Sequence, residues 1–245
     1  MLLTVENVSK SYRKGNKVLR DIDLSVGEGE IVGLIGESGS GKSTLSRLIM
    51  QLEAPETGVI SFNGTPVTKR LRKTFYEDCQ LVFQNASAAL NPSWTVREIL
   101  MEPLRNSEGD RAAHIRDMLG SVKLTDAHLN RRPSELSGGE RQRVNLLRSI
   151  LVNPKLLVCD EIVSSLDRLI QREIIDLLIE LNRETGMAML FISHDLQVVE
   201  YICDRIYIMK DGKIVEESVK VDGEFEFSHT YSKKLFGSMF SRGLV

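Results

Sequence analysis

Residues 31–44 read IVGLIGESGSGKST, and this stretch decides the fold class. The short apolar run at residues 31–35 is typical of a strand that is buried on both faces. A glycine-rich loop follows it directly, and a helical pattern begins near Lys42. The loop fits the pattern G-x-x-x-x-G-K-[ST], in which glycines let backbone amides wrap a polyphosphate. The sequence therefore predicts a phosphate loop in a strand–loop–helix unit of an α/β protein.

The side chains of this loop define a candidate nucleotide site. Lys42 places a positive charge near the β and γ phosphates, and the Ser43 hydroxyl is a candidate ligand of Mg²⁺. The other candidate nucleotide-binding residues of the loop are Gly36, Ser38, Gly39, Gly41 and Thr44. The alternative is a glycine-rich turn that binds nothing, but the strand before the loop and the helix after it favour the phosphate site.

Two carboxylates end a second apolar run. Residues 156–161 read LLVCDE, so Asp160 and Glu161 lie where a buried strand stops. Open α/β sheets bind ligands at the carboxyl ends of their strands. Asp160 is a candidate for holding Mg²⁺ through water. Glu161, which points to the other side of the chain, is a candidate general base for an attacking water. Isolated carboxylates at such positions are also common as solvated strand caps.

A second anion site is indicated at residues 136–140, LSGGE, before a helical pattern that runs to residue 151. Ser137, Gly138 and Gly139 would leave backbone N–H groups and a hydroxyl at a helix N-terminus, where the helix dipole favours anions. Ser137 and Glu140 also have the spacing of a capping box, which is a purely structural alternative. Both interpretations are compatible with one motif.

Length and composition limit the class of protein. With 245 residues, 42% hydrophobic and 27% charged, the chain can bury a large core and has the composition of a soluble globular protein. Its net charge of −2 gives no global basic excess, so we expect no nucleic-acid partner. The apolar runs are too short to cross a bilayer, and no secretory leader is expected. Cys79, Cys159 and Cys203 are widely spaced, which indicates reduced thiols rather than a metal site.

The hydrophobic pattern predicts an antiparallel β lobe, a parallel sheet and a helical lobe. Strands are expected at residues 2–8, 17–26, 59–62, 156–159 and 188–192. A helix over 169–184, stopped by Gly186, connects the last two and implies parallel pairing. Residues 95–152 show a helical pattern, over residues 96–104, over residues 110–122 and from after Ser137 to Leu151. Residues 205–215 are typical of a hairpin that turns at Asp211 and Gly212, and residues 216–245 are weakly patterned.

In their order and spacing, these motifs resemble those of ATP-binding cassette (ABC) ATPases over nearly the whole chain. The resemblance implies an α/β fold of the P-loop NTPase type: a RecA-like parallel-sheet core, an N-terminal antiparallel β lobe and an inserted α-helical subdomain. It implies one domain over residues 1–245, with the core at 1–84 and 153–215, the helical subdomain at 85–152 and a tail at 216–245. The implied cofactors are ATP and Mg²⁺, and the implied activity is ATP hydrolysis.

The same resemblance assigns roles to further residues. Tyr12 matches the aromatic residue on which adenine stacks, and packing within a strand is its alternative. Gln84, at the end of LVFQ, matches the glutamine that senses Mg²⁺ and links the core to the helical lobe. His194 matches the switch histidine that contacts the γ phosphate. Asp167, at the end of SSLD, matches a loop that crosses a dimer interface, and a helix cap is its alternative.

The family resemblance also implies partners. Two cassettes face each other head to tail in this family, so Ser137, Gly138 and Gly139 of one chain complete the ATP site of the other. Residues 80–96, QLVFQNASAALNPSWTV, resemble the peptide and nickel importer branch, and HTYSK at 229–233 resembles a C-terminal motif of that branch, with Thr230 in place of the usual proline.

That branch implies a second, non-identical ATPase subunit, two transmembrane permease subunits and, indirectly, an extracytoplasmic substrate-binding protein. The chain would then act at the cytoplasmic face of the membrane. Trp94 either meets a permease or packs inside the helical lobe. The cargo, which is nickel, a metal chelate or a peptide, is not encoded in this chain.

Two positions depart from the family pattern. Glu140 stands where glutamine is more usual, and Ile162 stands where related chains generally have proline. We hypothesise that Glu140 adds negative charge near the partner's ATP and slows or biases one of two unequal sites.

Two alternative functions differ in kind. A cassette ATPase that works on DNA or the ribosome usually has two cassettes in one chain, coiled-coil or zinc insertions, or basic arms, and the sequence shows none of these. A regulatory subunit with little hydrolysis is disfavoured because Lys42, Glu161 and His194 are all present.

Overall fold

The computed structural model describes residues 1–13, 16–83 and 86–240. The strands are β1 (Leu3–Arg13), β2 (Asn16–Val26), β3 (Ile31–Gly36), β4 (Thr57–Phe62), β5 (Thr65–Pro66), β6 (Cys79–Val82), β7 (Leu156–Asp160), β8 (Ala188–Ile192), β9 (Arg205–Lys210), β10 (Lys213–Val221) and β11 (Glu224–Phe225). The helices are α1 (Lys42–Ile49), α2 (Arg72–Asp78), α3 (Ala86–Ala89), α4 (Val96–Met101), α5 (Arg111–Leu119), α6 (Gly138–Ile150), α7 (Arg168–Thr185), α8 (Leu196–Ile202) and α9 (Thr230–Phe240).

The chain divides into two compact units. The first comprises Met1–Phe75 and Ala188–Val245, and the second comprises Tyr76–Met187. Among the described residues, no helix combines the length and the apolar character that a membrane span requires.

The first unit contains the antiparallel lobe that the sequence predicts. Its four strands have the order β2-β1-β4-β5. Leu3 pairs with Val26 on one side and with Phe62 on the other, and Val5 pairs in the same way with neighbouring strands. These side chains are buried, so alternate residues of β1 form the apolar face of the sheet.

The first unit also contains a sheet with the strand order β11-β10-β9-β3-β8. Strand β3 lies between β8 and β9, is parallel to both, and is buried along its whole length, as its continuous apolar run predicts. Strands β9 and β10 form the predicted hairpin. Asp211 and Gly212 have φ angles of 48° and 75°, which are the positive values that a type I′ turn requires.

The second unit contains the parallel pair β6–β7 and helices that include α4 to α7. Cys79 pairs with Leu156 at one end of the strand pair. Helix α6 lies against β6: Ser149 Oγ donates to the Leu81 carbonyl at 3.4 Å, and Asn145 Nδ2 donates to the Phe83 carbonyl at 3.2 Å. Strand β6 was not predicted, because a four-residue run is too short to show a period.

Each of the three stretches predicted as helical within residues 95–152 contains a helix, but the first helix is shorter than predicted. Helix α4 ends at Met101, because Pro103 has no N–H group for the next helical hydrogen bond. After α5, Lys123 adopts a left-handed conformation with φ 55°, and the stretch up to Ser137 contains only two isolated 3₁₀ turns, Asp126–His128 and Pro133–Glu135. Helix α6 agrees with the prediction within one residue at each end.

Residues 216–240 are more ordered than their weak pattern indicates. They complete β10 and form β11 and α9. Phe227 stacks on Phe236 of α9 with ring centroids 4.2 Å apart, and Phe236 is buried. This part of the chain is held by aromatic contacts between residues distant in sequence, and such contacts leave no periodic signal.

Candidate nucleotide-binding site

The phosphate loop connects β3 to α1 in the first unit. Lys42, the first residue of α1, is buried, and its Nζ donates to the carbonyls of Gly36 at 2.7 Å and Glu37 at 3.0 Å. The Ser40 amide donates to the Glu37 carbonyl at 3.2 Å, and the Ser40 carbonyl accepts from the Gly212 amide at 3.1 Å. The lysine therefore lies across the loop that it follows, and the β9–β10 turn supports the loop from outside.

Two glycines of the loop are required by their surroundings. A Cβ atom on Gly36 would lie 2.3 Å from the Met209 carbonyl oxygen, which belongs to the backbone of β9 and cannot move aside. Gly41 has φ +110°, and a Cβ there would lie 2.7 Å from a Leu19 methyl group. The loop can pass between β9 and β2 only with glycine at both positions.

The remaining loop residues differ in accessibility. Ser38, Gly39 and Ser43 are exposed, whereas Thr44 is buried in the first turn of α1. The Ser43 hydroxyl is therefore accessible to a ligand at the start of the helix. The candidate phosphate-site residues thus lie on one continuous stretch that runs from the end of β3 through the loop into the first turn of α1.

His194 lies at the same edge of the sheet as the phosphate loop. Strand β8 is parallel to β3 and pairs Ile192 with Leu34, so both strands have their carboxyl ends there. His194 follows β8 by two residues and is exposed, and Asp195 caps α8 by accepting from the Gln197 amide at 3.0 Å. The cap and the strand end fix the backbone on both sides of the histidine.

Tyr12 lies on β1 and is 52% exposed. Its hydroxyl donates to Glu53 Oε1 at 2.9 Å, and Lys10 Nζ lies 5.6 Å from the ring centroid. The polar end of the side chain is therefore held while the ring is open to solvent. This arrangement differs from the packing alternative, in which the ring would be buried.

Asp160 and Glu161 belong to the second unit. Asp160 is the last residue of β7, and Glu161 adopts a left-handed conformation with φ 51°. The Glu161 carbonyl accepts from the Ser164 amide at 3.2 Å and from the Ser164 hydroxyl at 2.9 Å. A non-glycine residue in this conformation costs about 1 kcal/mol, and such strain often accompanies functional positions. The strand therefore ends in a tight turn at the candidate base.

The LSGGE motif starts α6 in the second unit, and its capping box is formed. Ser137 Oγ accepts from the Glu140 amide at 3.2 Å, and the Ser137 amide donates to Glu140 Oε2 at 2.6 Å. The structural interpretation of this pair is therefore confirmed. Ser137 and Gly138 are exposed, so the cap leaves this end of the helix accessible.

The two glycines of the motif have different surroundings. A Cβ on Gly139 would lie 2.9 Å from Ile170 Cγ2 of α7, so a side chain there would push against the neighbouring helix. A Cβ on Gly138 would meet no atom closer than Leu166 Cδ2 at 3.9 Å. Packing accounts for Gly139, whereas packing does not account for Gly138.

Glu140 is surrounded by donors that sequence reasoning missed. His128 Nε2 lies 3.1 Å and Arg131 Nη1 lies 3.8 Å from Glu140 Oε1. His128 Nδ1 accepts from the Thr125 amide at 3.0 Å, so the ring proton lies on Nε2 and is donated to the carboxylate. The hydrogen bonds from Ser137, opposed by burial and assisted by His128, lower the pKa of Glu140. The Glu140 carboxylate is therefore charged, and neighbouring donors balance its charge.

Three further residues complete the account of the predicted positions. Asp167 caps α7, with Oδ1 accepting from the Ile170 amide at 3.0 Å, so the helix-cap alternative is confirmed. Ile162, at the position where proline is usual, is 1% exposed and packs in the second unit. Gln84 lies outside the described residues.

Comparison with known proteins identifies the family. A family model described as "ABC transporter" matches residues 19–164, more than half of the chain. The chain belongs to the ABC transporter family. The nickel import ATP-binding protein NikE of Escherichia coli O6:K15:H31 (strain 536 / UPEC) is 44% identical over 236 residues, which cover 90% of this cassette and 88% of the relative. NikE of Shigella dysenteriae serotype 1 (strain Sd197) is 45% identical over 230 residues, covering 88% and 86%.

Solved structures agree with this assignment. The cassette matches cbiO1 from Clostridium perfringens, described as part of the ABC transporter complex cbiONQ, with a TM-score of 0.83. The match covers 99% of this chain and 95% of that one at 23% sequence identity, and it shows the fold. It matches the dimeric, post-hydrolysis structure of the ATP-binding cassette MJ0796 bound to ADP and Pi with a TM-score of 0.78 over 89% and 98%, at 29% identity. The predicted fold class is confirmed, and the chain is an ATP-binding ATPase.

Proposed function

We propose that this chain is one ATPase subunit of an importer for nickel or a metal chelate and that it hydrolyses Mg²⁺-ATP when paired with a second cassette. The observation that carries the proposal is the 44% identity to a nickel import ATP-binding protein over 88% of its length. A peptide is the second candidate cargo, since residues 80–96 resemble an importer branch that takes both.

We assign the whole chain, residues 1–245, to one cassette domain. The nucleotide-binding core comprises residues 1–84 and 153–215, and the helical subdomain with the LSGGE motif comprises residues 85–152. Residues 216–245 form the C-terminal tail. Strand β3 before the phosphate loop, helix α1 after it and the helices around α6 support this division.

The loop residues bind the phosphates in this proposal. Lys42 Nζ already lies over the loop, within hydrogen-bonding distance of two loop carbonyls, and is in position to donate to phosphate oxygens. The backbone amides of Gly36, Ser38, Gly39, Gly41 and Thr44 complete the phosphate site. The exposed ring of Tyr12 stacks on adenine, since its hydroxyl is already held by Glu53.

The residues assigned to Mg²⁺ fit that ion. Ser43 offers an exposed hydroxyl, and Asp160 offers a half-buried carboxylate at the end of β7. Such oxygen donors are the ligands that Mg²⁺ prefers in proteins, and two protein ligands are typical because the ion keeps several waters. When bound, Mg²⁺ neutralises charge on the phosphate oxygens. Gln84 is assigned as a further ligand from the family pattern alone.

Hydrolysis is assigned to three side chains. Glu161 accepts the proton of the water that attacks the γ phosphorus as the bond between the β and γ phosphates breaks. The left-handed backbone of Glu161 after β7 fixes the direction in which its side chain leaves the chain. His194 contacts the γ phosphate, and Gln84 senses Mg²⁺ and links the core to the helical subdomain.

The LSGGE residues act on the partner's nucleotide in this proposal. Gly138 is exposed at the N-terminus of the 13-residue helix α6, where backbone N–H groups and the helix dipole attract an anion. Ser137, Gly138 and Gly139 would complete the ATP site of the second cassette, and Asp167 would lie at the same interface.

The proposed assembly comprises a second, non-identical ATPase subunit, two transmembrane permease subunits and, indirectly, an extracytoplasmic binding protein. The chain would then lie at the cytoplasmic face of the membrane. The resemblance to nickel import relatives supports this assembly, and the half-buried side chain of Trp94 is compatible with either of its two candidate positions.

The decisive experiment uses the chain purified with its ATPase partner and permeases in proteoliposomes. Glu161→Gln should keep ATP binding, stabilise the closed dimer and lower turnover by about 10² to 10⁴. Lys42→Ala is the control that should lose ATP binding. Unchanged turnover in Glu161→Gln contradicts the assignment. ATP-dependent accumulation of nickel but not of peptides identifies the cargo, and the reverse result identifies the second candidate.

A further inference from the structure

The Glu140 carboxylate, in the first turn of α6, has both of its oxygens engaged by donors. Oε2 accepts from the Ser137 amide at 2.6 Å, and Oε1 lies 3.1 Å from His128 Nε2. Arg131 Nη1 approaches the same Oε1 only to 3.8 Å, and its side chain is 44% exposed. The His128 side chain is 15% exposed, so solvent screens its contact less. His128 is therefore the donor that decides where Oε1 lies.

The His128 ring is fixed from its other side as well. Its Nδ1 lies 3.0 Å from the Thr125 amide, which can only donate, so Nδ1 accepts and the ring proton lies on Nε2. The turn that carries the ring is bound to the start of α4, because the Val96 amide donates to the Arg131 carbonyl at 2.8 Å. The donor to Glu140 is thus part of the folded framework of the second unit.

The cap leaves the anion-binding groups of the LSGGE motif available. The Ser137 hydroxyl oxygen accepts from the Glu140 amide at 3.2 Å, and accepting this hydrogen bond does not use the proton of the hydroxyl. Gly138 is exposed beside it. The groups that the proposed function assigns to the partner's triphosphate therefore lie within one turn of a full negative charge.

A carboxylate at this position opposes the binding of an anion unless its position is restrained. Hydrogen bonds from Ser137 lower the pKa of Glu140, so the carboxylate is ionised at neutral pH. Its repulsion of a phosphate would grow as a closing interface excluded water. Without a donor on Oε1, the carboxylate could turn about its side-chain bonds toward the exposed end of the helix. The His128 hydrogen bond removes this freedom.

We propose that His128 is a positioning residue of the partner's ATP site, which holds the Glu140 carboxylate against the Ser137 amide and so keeps its charge away from the phosphates. The inference rests on the proposed role of the LSGGE motif at the nucleotide of the second cassette. It assigns a role to a histidine that lies outside every motif of the family resemblance. It also explains how this chain combines a carboxylate with a triphosphate-binding motif.

The test is a double-mutant cycle in the chain purified with its ATPase partner and permeases in proteoliposomes, with KM for ATP and kcat measured separately. His128→Phe keeps a ring and removes its donor, so KM should rise about fivefold while kcat stays within about twofold of wild type. Glu140→Gln should have a KM equal to or below that of wild type. Adding His128→Phe to Glu140→Gln should leave KM unchanged, because no charge is left to restrain.

Three further variants separate positioning from support of the fold. His128→Gln offers an amide N–H in place of Nε2–H and should keep KM within about twofold of wild type. Glu140→Asp keeps the charge on a side chain too short for the contact with His128, so its KM should rise as in His128→Phe while the histidine is unaltered. His114→Phe is the matched control and should keep the wild-type KM, because His114 contacts the Leu151 carbonyl at the other end of α6.

A wild-type KM in His128→Phe or in Glu140→Asp overturns the inference, and so does an equal rise in His114→Phe. Simple addition of the His128→Phe and Glu140→Gln effects also overturns it, because a histidine that only supports the fold would act independently of the Glu140 charge. Failure of the wild-type assembly to hydrolyse ATP would contradict the proposed function instead.

Discussion

Replacement of Glu140 by glutamine tests the local environment of the LSGGE motif. The Glu140 carboxylate accepts from the Ser137 amide at 2.6 Å and lies 3.1 Å from His128 Nε2 and 3.8 Å from Arg131 Nη1. A glutamine has one acceptor oxygen and no charge, so it can keep only one of these contacts, and as a neutral hydrogen bond. The second end of the amide would turn an N–H group toward a donor.

The expected change in the free energy of unfolding follows from these contacts. A hydrogen bond to a charged group contributes about 1.5 to 3 kcal/mol, and a neutral one about 1 kcal/mol. The contacts with His128 and Arg131 lie on side chains that are partly exposed, so solvent screening reduces their share to a few tenths of a kcal/mol. We expect Glu140→Gln to lower the free energy of unfolding by about 1 kcal/mol at pH 7.

The stabilisation by the Glu140 carboxylate depends on pH. The pKa of Glu140 in the folded chain lies below its ordinary value of 4.5, because Ser137 donates to the carboxylate. The stabilisation is therefore complete above pH 4.5 and is lost as pH falls through the lower, folded pKa. The difference between wild type and Glu140→Gln should be constant from about pH 6 to 8 and should decrease below 4.5.

Urea unfolding of the full-length chain at several pH values measures this difference. Glu180→Gln, which makes the same change of charge at an exposed position of α7, is the control and should have little effect. A Glu140→Gln variant as stable as wild type at pH 7, or a difference that stays constant to pH 4, would refute the reasoning.

In the reconstituted ATPase pair, unchanged turnover of Glu140→Gln would end the hypothesis that this carboxylate biases the partner's site.

Two further pairs of substitutions test the loop and the second helix cap. Gly36→Ala should lower ATP affinity more than about tenfold, because its Cβ would lie 2.3 Å from the Met209 carbonyl oxygen. Gly39→Ala should lose less, because its Cβ would meet no atom within 4 Å and its φ of +83° adds only backbone strain of about 1 kcal/mol; equal losses in a binding titration would disagree with this steric account. Asp167→Ala should lower the free energy of unfolding by about 1 kcal/mol, because it removes the cap on the Ile170 amide. Asp167→Asn keeps an acceptor, so its stability in urea should stay close to that of wild type. An equally large loss of stability in both variants would exclude the cap as the cause.

Much of the fold was predictable because its signals are local. The apolar run before the phosphate loop gave β3, the Asp211–Gly212 pair gave the hairpin turn, and Gly186 ends α7 in a left-handed conformation with φ 67°. The elements that were missed are short or depend on distant contacts. Strand β6 spans four residues, and α9 is held by Phe227 and Glu216 rather than by an apolar stripe.

The sequence by itself determined the phosphate loop, the pair of carboxylates after β7 and the capping box of α6, because each depends on residues within a few positions of one another. It also determined the family, since the order of these motifs is a property of the chain. Only the tertiary structure decided what surrounds them. The Met209 carbonyl that makes Gly36 obligatory and the His128 ring that donates to Glu140 both come from other parts of the chain. Folding brings these groups together through burial and hydrogen bonding, which the spacing of residues along the chain does not encode.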